Sequence, residues 1–231
     1  MLKLGVPSKG RLMEKTFDWF GARGLPMEKR GDDREYAGVV EGTEDLALVL
    51  LSASEIPREL SAGRIHLGVT GTDLVRERLS HWDETVEELA PMGFGHADLV
   101  LAVPSFWVDC DTLDDLDAAA AAFRRRHGFR LRVATKYHRL VRDYLRHHGV
   151  ADYQLVDSQG ATEGTVRHGT AEAIADITST GETLRANHLK PLSDGPVLSS
   201  EATLFRSRVA EWADADRESL ARLRARLGIG D

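Results

Sequence analysis

Residues Ala171–Leu184 read Ala-Glu-Ala-Ile-Ala-Asp-Ile-Thr-Ser-Thr-Gly-Glu-Thr-Leu, where an apolar segment changes at Asp176 into a hydroxyl-rich turn. The apolar alternation predicts a buried strand, and the residues after Gly181 predict the start of a helix. Glycine lets a backbone approach an anion closely, and a helix start favours negative charge. The stretch therefore indicates a phosphate-binding loop made of Thr178, Ser179, Thr180, Gly181, Glu182 and Thr183.

Two acidic residues accompany this loop. Asp176 ends the predicted strand, where its carboxylate is placed to hold a sugar hydroxyl or a metal ion. Glu163 precedes a short predicted helix and either faces the same cavity or caps that helix. An ordinary serine or threonine cap between a strand and a helix is the alternative explanation of the whole loop.

Composition and charge limit the classes of protein to which the chain can belong. Its 231 residues suffice for one large α/β unit or two modest domains, and its net charge of −7 gives no general attraction for nucleic acid or anionic lipid. The single Cys110 cannot form an intrachain disulfide, and the longest apolar run, Leu46–Leu51, is too short to span a membrane. The histidines show no metal-ligand spacing. We expect a cytoplasmic protein without a metal cage that binds neither nucleic acid nor membrane.

Strand and helix signals alternate along most of the chain. The predicted strands include Leu2–Val6, Tyr36–Val40, Leu46–Leu51, Ile65–Thr70, Asp98–Val103, Leu131–Thr135 and Tyr153–Val156. This alternation predicts an α/β fold with mostly parallel sheets, in which ligands bind at the carboxyl ends of strands. A glycine-rich passage around Gly93 marks a crossing between domains. We expect domain I at 1–93 with 191–208, domain II at 94–190, and a C-terminal helix at 209–231.

Two cations follow the first predicted strand. Lys9 and Arg11 flank Gly10 at a predicted helix start, where a cation is unfavourable unless an anion accompanies it. The pair is therefore a candidate for binding a charged ligand, although a solvated basic loop explains it equally well. Gly71 and Asp73 form a similar turn between a later strand and helix.

Four segments together resemble a known family. They are Pro7-Ser8-Lys9-Gly10-Arg11-Leu12, Gly68-Val69-Thr70-Gly71-Thr72-Asp73, Ala134-Thr135-Lys136-Tyr137 and Ala171–Leu184. Each is weak alone, but as an ordered set within residues 1–207 they resemble the ATP phosphoribosyltransferases of histidine biosynthesis. The sequence differs from many members at Ser52–Glu55, where an arginine and an aspartate often precede Ile-Pro.

The resemblance implies a fold and an assembly. The family fold is two-lobed and similar to type II periplasmic binding proteins, with a central cleft. Because only about two dozen residues follow Phe205, the chain resembles short members of the family, which lack a regulatory domain. Such members work with a separate regulatory subunit related to histidyl-tRNA synthetase in a hetero-octamer, and a homodimer of the chain alone is possible.

The resemblance also implies a reaction. N1 of the ATP adenine is joined to C1 of phosphoribosyl pyrophosphate, with release of pyrophosphate, which Mg²⁺ would accompany. Residues 178–183 would hold the ribose 5-phosphate and Asp176 with Glu163 the ribose hydroxyls. Lys9 and Arg11, with Gly10 in the same turn, would bind pyrophosphate. The ATP pocket is expected around Gly71, Asp73 and Lys136.

Two other classes of function stay open at this stage. A bilobal fold alone implies ligand binding rather than chemistry, so a non-catalytic solute-binding or effector-sensing module is the first alternative. An assembly subunit is the second, suggested by the apolar side of the last predicted helix, which carries Val209, Trp212, Leu220, Leu223 and Leu227.

Overall fold

The chain divides into two structural units. The computed structural model describes residues 1–29, 37–40, 43 and 45–230, with the backbone alone at Ala37 and Val39. Unit 1 comprises Met1–Gly95 and Glu201–Asp231, and unit 2 comprises His96–Ser200. Residue 36 of one predicted strand, residues 41, 42 and 44 of the turn after it, and residue 231 of the predicted C-terminal helix lie outside the described residues.

Strands and helices alternate along both units. In chain order they are β1 (Leu2–Pro7), α1 (Gly10–Gly21), β2 (Met27–Lys29), β3 (Ala37–Val40), β4 (Leu46–Leu51), α2 (Ile56–Ser61), β5 (Leu67–Gly71), α3 (Thr72–Arg78), α4 (Trp82–Thr85), β6 (Val86–Pro91), β7 (Ala97–Pro104), α5 (Leu113–His127), β8 (Leu131–Thr135), α6 (His138–His147), β9 (Tyr153–Asp157), α7 (Gly164–Arg167), β10 (Ala173–Thr178), α8 (Glu182–Ala186), β11 (Leu189–Pro191), β12 (Leu198–Ser200), β13 (Ala202–Ser207) and α9 (Asp214–Leu227). The predicted α/β alternation is confirmed.

Each unit contains one mixed sheet. The strand order is β2-β3-β4-β1-β5-β13-β6 in unit 1 and β11-β7-β10-β8-β9 in unit 2, where β12 also pairs with β7. Strands β4, β1 and β5 are parallel to one another, as are β10, β8 and β9. The other pairings between described strands are antiparallel. The prediction of mostly parallel sheets is therefore wrong, because β7 and β13, which follow the crossings between units, run against their neighbours.

The second crossing also differs from the sequence expectation. Residues 191–200 were expected in the same domain as the N-terminus, but β11 and β12 both pair with β7 of unit 2. The chain returns to unit 1 between Ser200 and Glu201. This domain boundary is set by strand pairing between segments that are far apart in the sequence, so local composition does not predict it.

The core of unit 1 lies against its parallel strands. In β4 the buried side chains alternate with half-buried ones, as expected for a strand that presents one face to a core. Helix α1 adds Phe20, and α9 adds Leu220, Leu223 and Leu227 to the same cluster. Leu220, Leu223 and Leu227 therefore pack on their own unit, which weakens the suggestion of an assembly subunit. The prediction that the helix begins at 209 is wrong, because Val209 and Trp212 precede α9, and Val209 is exposed.

Local signals fix the helices of unit 2. Helix α5 begins at Thr112, whose hydroxyl accepts a hydrogen bond from the Asp115 backbone while the Asp115 carboxylate accepts one from the Thr112 backbone. It ends at Gly128, which has the left-handed φ of +81° that glycine adopts without strain. No described helix has the length and apolar character needed to cross a membrane.

Parallel strands bring their carboxyl ends to one edge of a sheet. In unit 1 this edge, the carboxyl edge, carries the segments that follow β1, β4 and β5. In unit 2 it carries the segments that follow β8, β9 and β10. Ligands of α/β folds bind at such edges, and the residues predicted for binding lie at the carboxyl ends of these strands or in the segments that follow them.

Candidate active site

Lys9 and Arg11 lie at the carboxyl edge of unit 1. Lys9 is the N-cap residue of α1, and this helix has neither a side-chain cap nor an acidic residue in its first turn. Both cations are exposed, and neither forms an ion pair with any residue in the described part of the chain. Gly10 has a φ of +74°, and an added Cβ would meet no atom within 4 Å. The turn is open and positively charged.

The turn after β5 is built differently. Thr72 donates its backbone N–H to the Glu201 carbonyl at 3.1 Å and its hydroxyl to the same oxygen at 3.3 Å. Gly71 precedes α3, and Asp73 is buried in its first turn. The Glu201 carboxylate accepts the Gly93 N–H at 3.2 Å. Glu201 thus ties two turns of this edge together, a role that the sequence analysis did not assign to it.

The Ser52–Glu55 turn is closed on itself. The Glu55 carboxylate accepts hydrogen bonds from the Ser52 N–H at 3.0 Å and the Ser52 hydroxyl at 2.7 Å. These two bonds hold the pKa of Glu55 below its ordinary value. Thr70, near the end of β5, donates to the Ala53 carbonyl at 2.8 Å and so joins the turn to the neighbouring strand.

Lys136 and Asp176 meet at the carboxyl edge of unit 2. The Lys136 ammonium lies 3.1 Å from the Asp176 carboxylate, of which only 14% of the side chain is exposed. The Tyr137 N–H donates to the Thr135 hydroxyl at 3.0 Å and fixes the chain on both sides of Lys136. The structure therefore brings Lys136 together with the predicted ribose residue, whereas Gly71 and Asp73 belong to unit 1.

Residues 178–183, the phosphate loop, join β10 to α8. Gly181 has a φ of +71°, and its N–H donates to the Thr178 hydroxyl at 2.9 Å. The Glu182 N–H lies 3.3 Å from the Thr180 hydroxyl, and the Ser179 hydroxyl donates to the His96 carbonyl at 2.9 Å. The loop is thus held largely by its own hydroxyl groups, but the N-cap residue of α8 is Gly181, so the helix has no serine or threonine side-chain cap as the alternative explanation requires. Ser179, Thr180, Glu182 and Thr183 are exposed.

A cation that the sequence analysis missed lies over this loop. The Arg185 guanidinium donates to the Thr180 carbonyl at 3.0 Å. A Cβ placed on Gly181 would lie 2.9 Å from the Arg185 Nη1, so the glycine leaves room for the guanidinium. The available signal was the spacing of four residues between Gly181 and Arg185, which places both on one face of a helical turn.

Glu163 and Asp157 complete the acidic groups of this part of unit 2. Glu163 is half-buried before α7, and its side chain does not cap that helix. Asp157, at the end of β9, lies 3.1 Å from the His138 Nε2 and accepts a hydrogen bond from Gln159 at 2.8 Å. His138 first and Gln159 second lower the pKa of Asp157. Asp157 is a further carboxylate at this edge that the sequence analysis did not name.

The described residues contain no group of three or more histidine, cysteine or acidic side chains that could hold a metal ion. Asp176 already binds the Lys136 ammonium and accepts the Ile177 N–H at 2.8 Å. Single carboxylates of this kind suit a Mg²⁺ ion that is held mainly by substrate phosphates rather than by a protein cage.

Comparison with known proteins first defines the class of fold. The solved substrate-binding protein of an amino acid ABC transporter matches with a TM-score of 0.55 and 10% identity, over 98% of this chain and 91% of that chain. The chain therefore has the α/β architecture of periplasmic binding proteins, as predicted. At this identity the similarity shows the fold alone.

Closer similarities identify the family within this class. The family model described as HisG, ATP phosphoribosyltransferase, matches residues 52–228. An ATP phosphoribosyltransferase of Cereibacter sphaeroides is 72% identical over 99% of this chain and 96% of its own length. The ATP phosphoribosyl transferase (HisG:HisZ) complex from Thermotoga maritima matches with a TM-score of 0.75 at 22% identity, over 99% of this chain and 96% of that chain. The chain belongs to the ATP phosphoribosyltransferase family.

Proposed function

We propose that this chain condenses ATP with phosphoribosyl pyrophosphate in the first step of histidine biosynthesis. The bond between ribose C1 and the pyrophosphate oxygen breaks, and a bond between C1 and the adenine N1 forms with inversion at C1. Family membership supports this reaction. The observation that carries the site assignment is the hydroxyl-rich phosphate loop, which lies directly after Asp176 and beneath the Arg185 guanidinium.

Unit 2 would bind the phosphoribosyl group. The exposed hydroxyls of the phosphate loop and the Arg185 guanidinium supply hydrogen bonds and positive charge for the 5-phosphate. Asp176, with Glu163, would accept hydrogen bonds from the ribose hydroxyls. Each hydrogen bond to a charged group contributes about 1.5 to 3 kcal/mol. The ion pair with Asp176 supports placing Lys136 beside this substrate rather than in the ATP pocket.

Unit 1 would supply the charge that the leaving group needs. Lys9 and Arg11, with the backbone of Gly10, would neutralise the pyrophosphate as its bond to C1 breaks. The adenine nitrogen attacks with its own lone pair, so the protein need supply no nucleophile. Positioning and electrostatic stabilisation would therefore provide most of the rate enhancement. Gly71 and Asp73 stay the candidates for the ATP pocket.

A divalent cation would accompany the pyrophosphate. Mg²⁺ bound to the substrate would lower the negative charge of the departing pyrophosphate. Asp176, near the carboxyl end of β10, is the residue of this edge whose position suits it to approach such an ion, and Glu163 is the second candidate. Among the described residues these carboxylates belong to no cluster of three or more possible metal ligands, and such an arrangement suits a cation that arrives bound to the substrate.

We propose in addition that the chain is a short member of its family that works with a separate regulatory subunit. This is supported by the ATP phosphoribosyltransferase of Cereibacter sphaeroides, of which this chain covers 96%, and by the structural similarity to a chain of a HisG:HisZ complex. The hetero-octamer and the possible homodimer stay predictions, which the native mass of the chain with and without the subunit would test. The buried, unpaired Cys110 is compatible with a reducing cytoplasm.

Product formation tests the proposed function. The chain is mixed with ATP, phosphoribosyl pyrophosphate and Mg²⁺, with and without the regulatory subunit, and phosphoribosyl-ATP is measured by mass together with released pyrophosphate. We expect equal amounts of the two products in at least one of the mixtures. Binding of either substrate without product in both mixtures would instead support the non-catalytic ligand-binding alternative.

A further inference from the structure

A cavity of about 580 Å³ lies at the amino edge of the unit 2 sheet, the end opposite the phosphate loop. Arg130, which precedes β8, contributes one wall, and Arg142 and Arg146 of α6 contribute another. Tyr153 and Leu155 of β9 line it as well. Volumes of this size are typical of sites for small molecules.

The three cavity arginines lack acidic partners. In the described part of the chain none of them forms an ion pair, in contrast to Arg132, which binds Glu172 at 2.5 Å. Two of the neighbouring carboxylates have other partners, since Asp152 binds Arg124 at 2.5 Å and Asp117 accepts the Ala151 N–H at 3.0 Å. These two acids therefore do not neutralise the positive charge of the cavity, and Asp143 is the neighbouring acid without an ion pair among the described residues.

The charges of Arg130, Arg142 and Arg146 converge on Tyr153, which lines the same cavity. Burial raises the pKa of its hydroxyl, while Arg142, Arg146 and Arg130 each act to lower it. Asp143 acts in the opposite direction but forms no ion pair with a described residue. Arg142 and Arg146 are also spaced by four residues on α6, where like charges repel each other. A bound anion would remove this repulsion.

We propose that this cavity is a second anion site, separate from the carboxyl edge, for a small molecule that carries several phosphate groups. Guanidinium groups bind phosphate through paired hydrogen bonds, and three of them around one cavity match a chain of phosphates better than a single anion. The side chains of Tyr153 and Leu155 offer apolar surface to the rest of the ligand. The proposal does not depend on the catalytic assignment.

Arginine footprinting tests the site directly. The chain is treated with phenylglyoxal, and the modification rate of each arginine is measured by mass spectrometry with and without inorganic tripolyphosphate or ATP. The buffer contains about 150 mM salt, which limits unspecific attraction to about 8 Å. A site with a Kd of about 0.1 mM is about 90% occupied at 1 mM ligand, so Arg142 and Arg146 should react about tenfold more slowly. Stronger protection by ATP would identify a nucleotide as the ligand, and equal protection a free polyphosphate.

Arginines outside the cavity are the controls that separate specific protection from a general slowing of the modification. Arg125 is exposed and lies outside the cavity, so its rate should not change, while Arg11 and Arg185 report separately on the carboxyl edges. Unchanged rates at Arg142 and Arg146, or equal slowing at Arg125, would overturn the proposal. The paired substitutions Arg142→Gln and Arg146→Gln should remove one tripolyphosphate binding event in calorimetry, whereas Arg125→Gln should remove none.

Discussion

At the carboxyl edge of unit 2 the polar groups bind one another, whereas at that of unit 1 the two leading cations have no acidic partner among the described residues. In unit 2 Lys136 binds Asp176, and the phosphate loop uses its hydroxyls to hold its own backbone. In unit 1 Lys9 and Arg11 extend from a helix start that has no acid in its first turn. The first arrangement is formed by the chain's own groups, and the second leaves two exposed cations that a bound anion would neutralise.

This contrast predicts different consequences of substitution. Changes in unit 2 should alter substrate affinity and, for backbone positions, stability as well. Changes in the basic turn of unit 1 should alter turnover and leave the fold unaffected. Substitutions at Asp176, Lys9 and Gly181 test this division, and one at Asp45 tests an ion pair outside it.

Asp176→Asn should weaken the binding of phosphoribosyl pyrophosphate about 10- to 100-fold, because it removes the charge from hydrogen bonds worth about 1.5 to 3 kcal/mol. Calorimetry measures the affinity. Glu172→Gln is the matched control, since Glu172 precedes the same strand and is also ion-paired, but at the amino edge. An affinity unchanged in Asp176→Asn would exclude this residue from the ribose site.

Lys9→Ala should lower kcat about tenfold or more, because one charged contact to the departing pyrophosphate is lost. Its free energy of unfolding should change by less than about 0.5 kcal/mol, as is usual for an exposed side chain. Steady-state kinetics and urea unfolding measure the two quantities. Lys15→Ala, an exposed lysine further along α1, is the control and should change neither. A parent-like kcat and KM in Lys9→Ala would remove Lys9 from the site.

Gly181→Ala should cost both stability and affinity. Its left-handed φ costs a residue with a Cβ about 1 to 2 kcal/mol, and the new Cβ displaces the Arg185 guanidinium. Gly128→Ala has the same backbone strain, at a φ of +81° with no atom within 4 Å of its Cβ. We expect similar losses of stability in thermal unfolding, but a severalfold loss of phosphoribosyl pyrophosphate affinity in Gly181→Ala alone. Equal affinities would show that Arg185 does not contact the substrate.

The smallest effect concerns an ion pair of unit 1 that lies away from the carboxyl edge. Asp45 accepts hydrogen bonds from Ser219 at 2.6 Å and from Arg222 at 2.5 Å, and in that order they lower its pKa. A carboxyl group with a lowered pKa in the folded state stabilises above its unfolded pKa of about 3.9, and this stabilisation is lost as the pH falls through the folded value.

Asp45→Asn should therefore lower the free energy of unfolding by about 0.5 to 1 kcal/mol at neutral pH, a value limited by the solvent exposure of both side chains. The difference from the parent should shrink at acidic pH, as the pH falls through the lowered pKa of Asp45 in the folded parent and its carboxyl also becomes protonated. Urea unfolding at both pH values measures it, and turnover should be unchanged. A difference independent of pH would show that the charge of Asp45 contributes nothing.

Sequence periodicity was sufficient where a segment follows one pattern throughout. Leu131–Thr135 was predicted with the bounds that β8 has, because its apolar residues are flanked by charged and glycine residues. Strand β6 was missed. Glu87 and Glu88 interrupt its alternation, and its place near the edge of the sheet leaves both partly exposed.

Residues of the candidate site can be proposed from the sequence, but the contacts between them cannot. Gly181 and the hydroxyl groups around it predict an anion-binding turn, because glycine lets a backbone approach an anion closely and hydroxyl groups donate hydrogen bonds. The ion pair of Lys136 with Asp176 depends on the pairing of β8 with β10, which joins residues about 40 positions apart. Arg185 was missed because its guanidinium lies over the loop only in the space that Gly181 leaves, and that space is visible only in the three-dimensional structure.

Hydrogen–deuterium exchange tests the central claim most directly, namely that unit 2 holds the phosphoribosyl group in a preformed loop. Exchange is followed in a peptide that covers residues 173–186, with phosphoribosyl pyrophosphate and Mg²⁺ added to the parent chain and to Asp176→Asn. We expect slower exchange of this peptide in the parent, little change in Asp176→Asn, and no protection of it by ATP alone. Protection by phosphoribosyl pyrophosphate that spares residues 173–186, or that persists fully in Asp176→Asn, would contradict the account.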